Sequence, residues 1–145
     1  MSTSTASHDH PFSVTPRRGA EIVSRRRDGR MVVSVTGELD AANVDAFAEH
    51  ALSQINGSVP LIVDLTELKY FGTDGFWTLH LIDEKCASVD IRWAVVAGGA
   101  VARVLRICDP GGELPVVDTP AAAGRLLETP AVPSVALLQL IPEPR

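Results

Sequence analysis

After Pro60 the chain runs Leu61-Ile62-Val63-Asp64-Leu65, apolar at both odd and even positions. Successive side chains of a strand point to opposite faces, so a strand that is apolar on both alternations is buried on both sides. A sheet with helices packed against it provides that environment. The run therefore constrains the chain to an α/β architecture and places this strand near the centre of the sheet.

The flanking segments fit that constraint. Ala20–Ser24 and Met31–Thr36 are β-branched runs joined by an Arg-rich turn ending in Asp28-Gly29, a strong hairpin signal. Gly37-Glu38-Leu39-Asp40 breaks the second run, and Asn43 stands before a helical pattern in which Val44, Phe47, Ala48, Ala51, Leu52 and Ile55 share a face. A loop from Thr66 to Gly72 leads to a second helix from Thr73 to near Ala87. Ile91–Ala97 reads as a strand, Ala100–Ile107 as a short helix, Leu114–Val117 as a last strand, and Thr119-Pro120 as the capped start of a final helix ending near Leu127. The order predicts a mixed sheet of about five strands with about four helices packed against it.

The 145 residues suit one domain, and a composition 46% hydrophobic but only 5% aromatic implies a core of Val, Leu, Ile and Ala. Residues 1–18, rich in Ser, Thr, His and Pro, are expected to be a flexible tail; 19–128 form the domain; 129–145 are a Pro-rich apolar tail.

Charge and motifs narrow the function. A net charge of −5 gives no reason to expect nucleic acid or an anionic membrane as partner. The basic cluster Arg25-Arg26-Arg27 reads as a solvated turn. No apolar stretch approaches the roughly 18 to 20 residues of a membrane span, and the N-terminus lacks a signal-peptide core, so a cytoplasmic protein is expected. Cys86 and Cys108 have no CxxC spacing and read as buried thiols. His50 and His80, on different helices without ligand spacing, read as surface residues, and His8-Asp9-His10 as an incidental site in the tail. GxSxG and GxGxxG are absent, and no Lys-Ser/Thr follows Gly98-Gly99, so no catalytic residue, cofactor or metal is assigned and the chain is read as a binding protein, not an enzyme.

Three blocks carry a family resemblance: Val35-Thr36-Gly37-Glu38-Leu39-Asp40, Ile62-Val63-Asp64-Leu65-Thr66, and Phe71-Gly72-Thr73-Asp74-Gly75-Phe76, followed by Ala94-Val95-Val96-Ala97-Gly98. In order and spacing they resemble the STAS domain, with Asp64 to Phe76 in ungapped register with the family's D-L-S-x-V-x-x-I-D-S-S-G-L stretch, over roughly residues 20 to 127. The resemblance implies an anti-sigma factor antagonist that works by partner switching. Such a protein binds an anti-sigma factor that is also a Ser/Thr kinase, is switched off by phosphorylation, and is restored by a phosphatase. By register the modifiable hydroxyl falls on Thr73, and the implied partner-binding residues are Asp40, Gly72, Asp74, Gly75 and Trp77. Gly72 stands where the family has an acidic residue, and Asp74 where it has a second hydroxyl. Both departures point to altered or absent phosphorylation of an otherwise usual docking surface. The alternative reading is a STAS scaffold that assembles with itself or with other STAS proteins in a stress-signalling complex. Nucleotide binding, known for some STAS domains, has little support in these motifs.

Helical spacing adds one expectation. Gly75, Leu79, Ile82 and Cys86 share one side of the second helix, with Trp77 and Leu81 roughly opposite. The first face covers the sheet, so the second needs another cover: the first helix, a partner or second copy, or the apolar C-terminal segment Val135–Ile141, expected to dock on the protein's own surface or on a partner.

Overall fold

The computed structural model describes residues 12–17, by backbone alone, with residues 19–56 and 59–128. Seven strands form one mixed sheet: β1 (Phe12–Arg17), β2 (Ala20–Arg27), β3 (Arg30–Leu39), β4 (Leu61–Leu65), β5 (Leu68–Phe71), β6 (Trp93–Ala97) and β7 (Val116–Val117). The helices are α1 (Val44–Ser53), α2 (Thr73–Ser88), α3 (Gly99–Cys108) and α4 (Pro120–Glu128). The strand order is β1-β2-β3-β4-β6-β7, with β5 also paired to β3. β4 is central, between β3 and β6 and parallel to both.

The sheet is larger than the sequence predicted because of β1 and β5. The tail expected to run to residue 18 becomes a strand at Phe12, where residues 12–17 pair antiparallel with β2. An edge strand is held by backbone hydrogen bonds on one side only, so it needs no apolar periodicity and tolerates Pro16. β5 lies inside the expected loop 66–72 and continues along the edge of β3 that β4 vacates: Met31–Ser34 pair with Leu61–Asp64, and Gly37–Leu39 with Leu68–Phe71.

The predicted hairpin forms between β2 and β3, with Asp28 (φ 53°) and Gly29 (φ 78°) both left-handed, as a two-residue primed turn requires. Alternation then sorts the sheet into two faces. Ile22, Val33, Val35, Leu61, Val63, Leu65 and Val95 join Phe47, Leu79, Ile82 and Val101 in the main core under α1, α2 and α3. Ile62, Ala94 and Val96 face the other way and meet Ala123 and Leu127 of α4. Each large side chain so buried contributes about 1.5 to 3 kcal/mol.

Local chemistry fixes the helix ends. Thr119 Oγ1 accepts from Ala122 N–H at 3.0 Å, the cap its position predicted. α4 is fastened at its other end by Arg92, which donates to the carbonyls of Leu126 (2.7 Å) and Leu127 (2.8 Å). α2 ends in a Schellman motif: Asp90 is left-handed (φ 58°), its N–H donates to Ala87 O at 3.3 Å, and Ile91 N–H donates to Cys86 O at 2.8 Å. That turn delivers the chain to β6, where Trp93 is buried and donates from Nε1 to Asp83 at 2.8 Å. Burial, and secondarily the Asp83 charge, push the Cys86 thiol up to about 12, so it is a packed, unreactive group. Cys108 is only partly buried.

His50 and His80 are both partly buried rather than fully on the surface. Burial lowers the pKa of His50 from its ordinary value. The unfolded chain therefore takes up the proton more readily, and stability is lost as pH falls below about 6.5. Urea midpoints at about pH 7.5 and about pH 5 should differ less in His50→Gln than in wild type.

Candidate functional site

β3 and β5 are parallel and end together. Leu39 is in register with Phe71, and Gly72 N–H donates to Leu39 O at 3.1 Å. The chain leaving β3, at Asp40, and the chain entering α2, at Gly72-Thr73-Asp74, therefore emerge side by side. Asp40, Gly72, Thr73 and Asp74, distant in sequence, are brought to one end of the sheet.

Asp40 is partly exposed and held on both sides. Its Oδ1 accepts from Ala42 N–H at 2.9 Å, and its own N–H donates to Asn43 Oδ1 at 3.0 Å. Asn43 is buried at the N-cap position of α1 but makes no side-chain cap bond to the helix. It turns back instead, donating from Nδ2 to Glu38 O at 2.9 Å. The side chain thus pins the loop that presents Asp40.

At the start of α2 the N-cap residue is Gly72, extended and without a side-chain cap, and Thr73 is the first helical residue. Thr73 and Asp74 are both exposed, and Asp74 lies in the first turn, where a carboxylate is favourable to the helix dipole. Trp77 and Leu81 are 61% and 50% exposed, so α1 leaves this second apolar face of the helix open. The indole is partly ordered by its own helix: its ring centroid lies 5.1 Å from Phe76 and 5.9 Å from His80. The opposite face buries Gly75, Leu79, Ile82 and Cys86, as the spacing predicted. The C-terminal segment offered as another cover lies outside the described residues.

Gly75, unlike Thr73 and Asp74, is turned inward. It is buried, and a Cβ there would be driven into the Phe71 ring, within 2.8 Å of Cζ. The glycine lets the first turn of α2 lie against the aromatic residue that ends β5.

Residues 21–123 match the STAS domain model. The chain belongs to the STAS domain family. Osmosensory protein A of Mycobacterium tuberculosis is 35% identical over 120 residues, covering 77% of this chain and 76% of its own. Anti-sigma-F factor antagonist RsfA of the same species is 31% identical over 117 residues, covering 77% and 91%. The crystal structure of an anti-sigma factor antagonist from Mycobacterium paratuberculosis shares the fold, with a TM-score of 0.67 at 24% identity over 81% of this chain and 94% of that one.

This STAS domain also exposes groups that sequence reasoning passed over. Tyr70 (52% exposed) and Ile107 (78%) border a cleft between β5 and α3, together with Lys69, Thr73 and Arg103. Ile107 was accessible to the same helical-wheel argument as Trp77, since it lies opposite Val101 and Leu105. Tyr70 and Lys69 carry no such signal, because the buried-exposed-exposed-buried pattern of β5 has no period of two. Among the described residues no helix is long and apolar enough to cross a membrane, and no group of three potential ligands is placed to hold a metal.

Gly75→Ala sets a gain in helix propensity, up to about 1 kcal/mol, against overpacking on a buried ring, about 1 to 3 kcal/mol. A ring cannot swing aside as a flexible chain end does, so overpacking wins. Urea denaturation should show a net loss of about 1 to 2 kcal/mol.

Proposed function

We propose that this chain is a cytoplasmic anti-sigma factor antagonist that regulates transcription by partner switching. It binds an anti-sigma factor of the kinase type and has no chemistry of its own. The docking surface comprises Asp40, Gly72, Thr73, Asp74 and Trp77, with Leu81 extending its apolar side. The observation that carries this reading is the open start of α2, where an exposed hydroxyl stands beside an exposed Trp. Trp is enriched among the few residues that dominate an interface, and one left in water on a structured helix is suited to a partner's pocket. Family membership and the RsfA relative support the same partner class.

Thr73 is the switch hydroxyl in this reading. A phosphate there adds about −1.5 to −2 charges to a surface whose other exposed group in the same turn, Asp74, is already anionic. A partner complementary to the unmodified surface is repelled by the modified one, and a phosphatase restores binding. Asp74 and Gly72 tune how readily the kinase uses the site.

Pull-downs from the native cell with wild type, Thr73→Ala and Thr73→Glu test this. The first two should retain the same anti-sigma factor and Thr73→Glu should lose it. Trp77→Ala should weaken binding to the captured partner by about tenfold or more. Equal capture by all variants counts against the docking surface. Incubation with the captured kinase, mapping the phosphate to Thr73 or elsewhere, tests the switch. A large homo-assembly on size exclusion with light scattering would favour the scaffold alternative.

A further inference from the structure

Thr73 forms part of the wall of a cleft of about 320 Å³ between β5 and α3. The charged residues lining it are Lys69 from β5 and Arg103 from α3; no carboxylate does. Both cations are exposed, and neither makes a hydrogen bond or ion pair with any described residue. In a chain of net charge −5, a hydroxyl that shares a cleft with two cations that no described residue pairs with is an unusual local balance. The anions nearest to these groups, Glu67 two residues before Lys69, Asp74 next to Thr73, and Glu38 and Asp40 at the end of the paired β3, all lie outside the lining.

We infer that this cleft is an intramolecular phosphate receptor: when Thr73 carries a phosphate, Lys69 and Arg103 bind it. The inference rests on the reading of Thr73 as the switch hydroxyl. A phosphate of about −1.5 to −2 charges is matched by these two cations, the guanidinium supplying paired donors and the ammonium a mobile point charge. The exposed Tyr70 phenol is a further donor on the same wall. The glycine at 72 fits this role. Gly72 also lines the cleft, with the position of a Cβ only 3.4 Å from Tyr70 Oη, so the acidic side chain that the family carries there would bring a negative charge to the phosphate's place. The receptor holds the modified group over the cleft between β5 and α3.

The test uses the full chain with phosphothreonine installed at position 73 by genetic encoding, so that no kinase or partner is needed. Phosphorus NMR follows the second ionisation of the phosphate in the wild-type background and in Lys69→Gln/Arg103→Gln. Two bound cations favour the dianion, so the wild-type pKa should lie lower by about half a unit to one unit. Each single variant should give an intermediate value. Both substituted side chains are exposed, so folding is expected to survive, and circular dichroism checks it. Equal phosphate pKa values in the wild-type background and the folded double variant would overturn the receptor. If the pKa difference appears while phosphorylated and unphosphorylated chains capture the same partner equally, the receptor stands and the switch reading fails.

Discussion

The contact on which the site depends is the parallel pairing of β5 with the far half of β3, closed by the hydrogen bond from Gly72 N–H to Leu39 O. β4 supplies the buried centre of the sheet, but it stops at Leu65, short of the end of β3. Without β5 the last residues of β3 would have an unpaired edge, and the chain entering α2 would have no fixed distance from Asp40. The pairing solves both problems, and Phe71 carries the solution into the helix: its ring is buried where only a glycine permits the first turn of α2 to lie. The start of α2 is therefore rigid on its inner side and free on its outer side. A docking surface needs that combination, since ordering a loose segment on binding costs affinity.

What the sequence made legible follows from where its signals come from. The central strand, the hairpin and the two faces of α2 are written in hydrophobic alternation or helical spacing, and the fold respects them because burial dominates its energetics. β1 and β5 are held by backbone pairing, to which side-chain pattern contributes little. Leu68 and Phe71 of β5 are buried while Lys69 and Tyr70 between them are exposed, which breaks the period-2 rule and reads as loop. Gly75 illustrates a different failure. Its place in the family stretch marks it, but a motif in sequence does not separate an exposed residue from a buried one that lets two elements approach. Only the position of the Phe71 ring makes that distinction.

Asn43 shows how one polar residue links the two parts of the site. An asparagine before a helix is ordinarily explained as a cap, with its oxygen turned forward to the first helical N–H groups. Here the side chain is buried and directed backward, satisfying Glu38 O at the end of β3 and Asp40 N–H in the turn that leaves it. A buried polar group without partners is costly, so the turn and the asparagine specify one another. The consequence reaches the surface, because the same turn sets the direction of Asp40 beside the start of α2.

Thr73 thus stands at a boundary between two unlike surfaces of a single helix start. On one side are Trp77 and Leu81, exposed and apolar, a surface suited to losing water to a partner. On the other are Lys69 and Arg103, cations with no described anion to neutralise them. An uncharged hydroxyl leaves both surfaces as they are. A phosphate cannot be neutral toward either, since it raises the cost of desolvating the apolar side and matches the charge of the basic side. Its effect on binding then depends on how far the two cations neutralise the charge that it adds beside the indole.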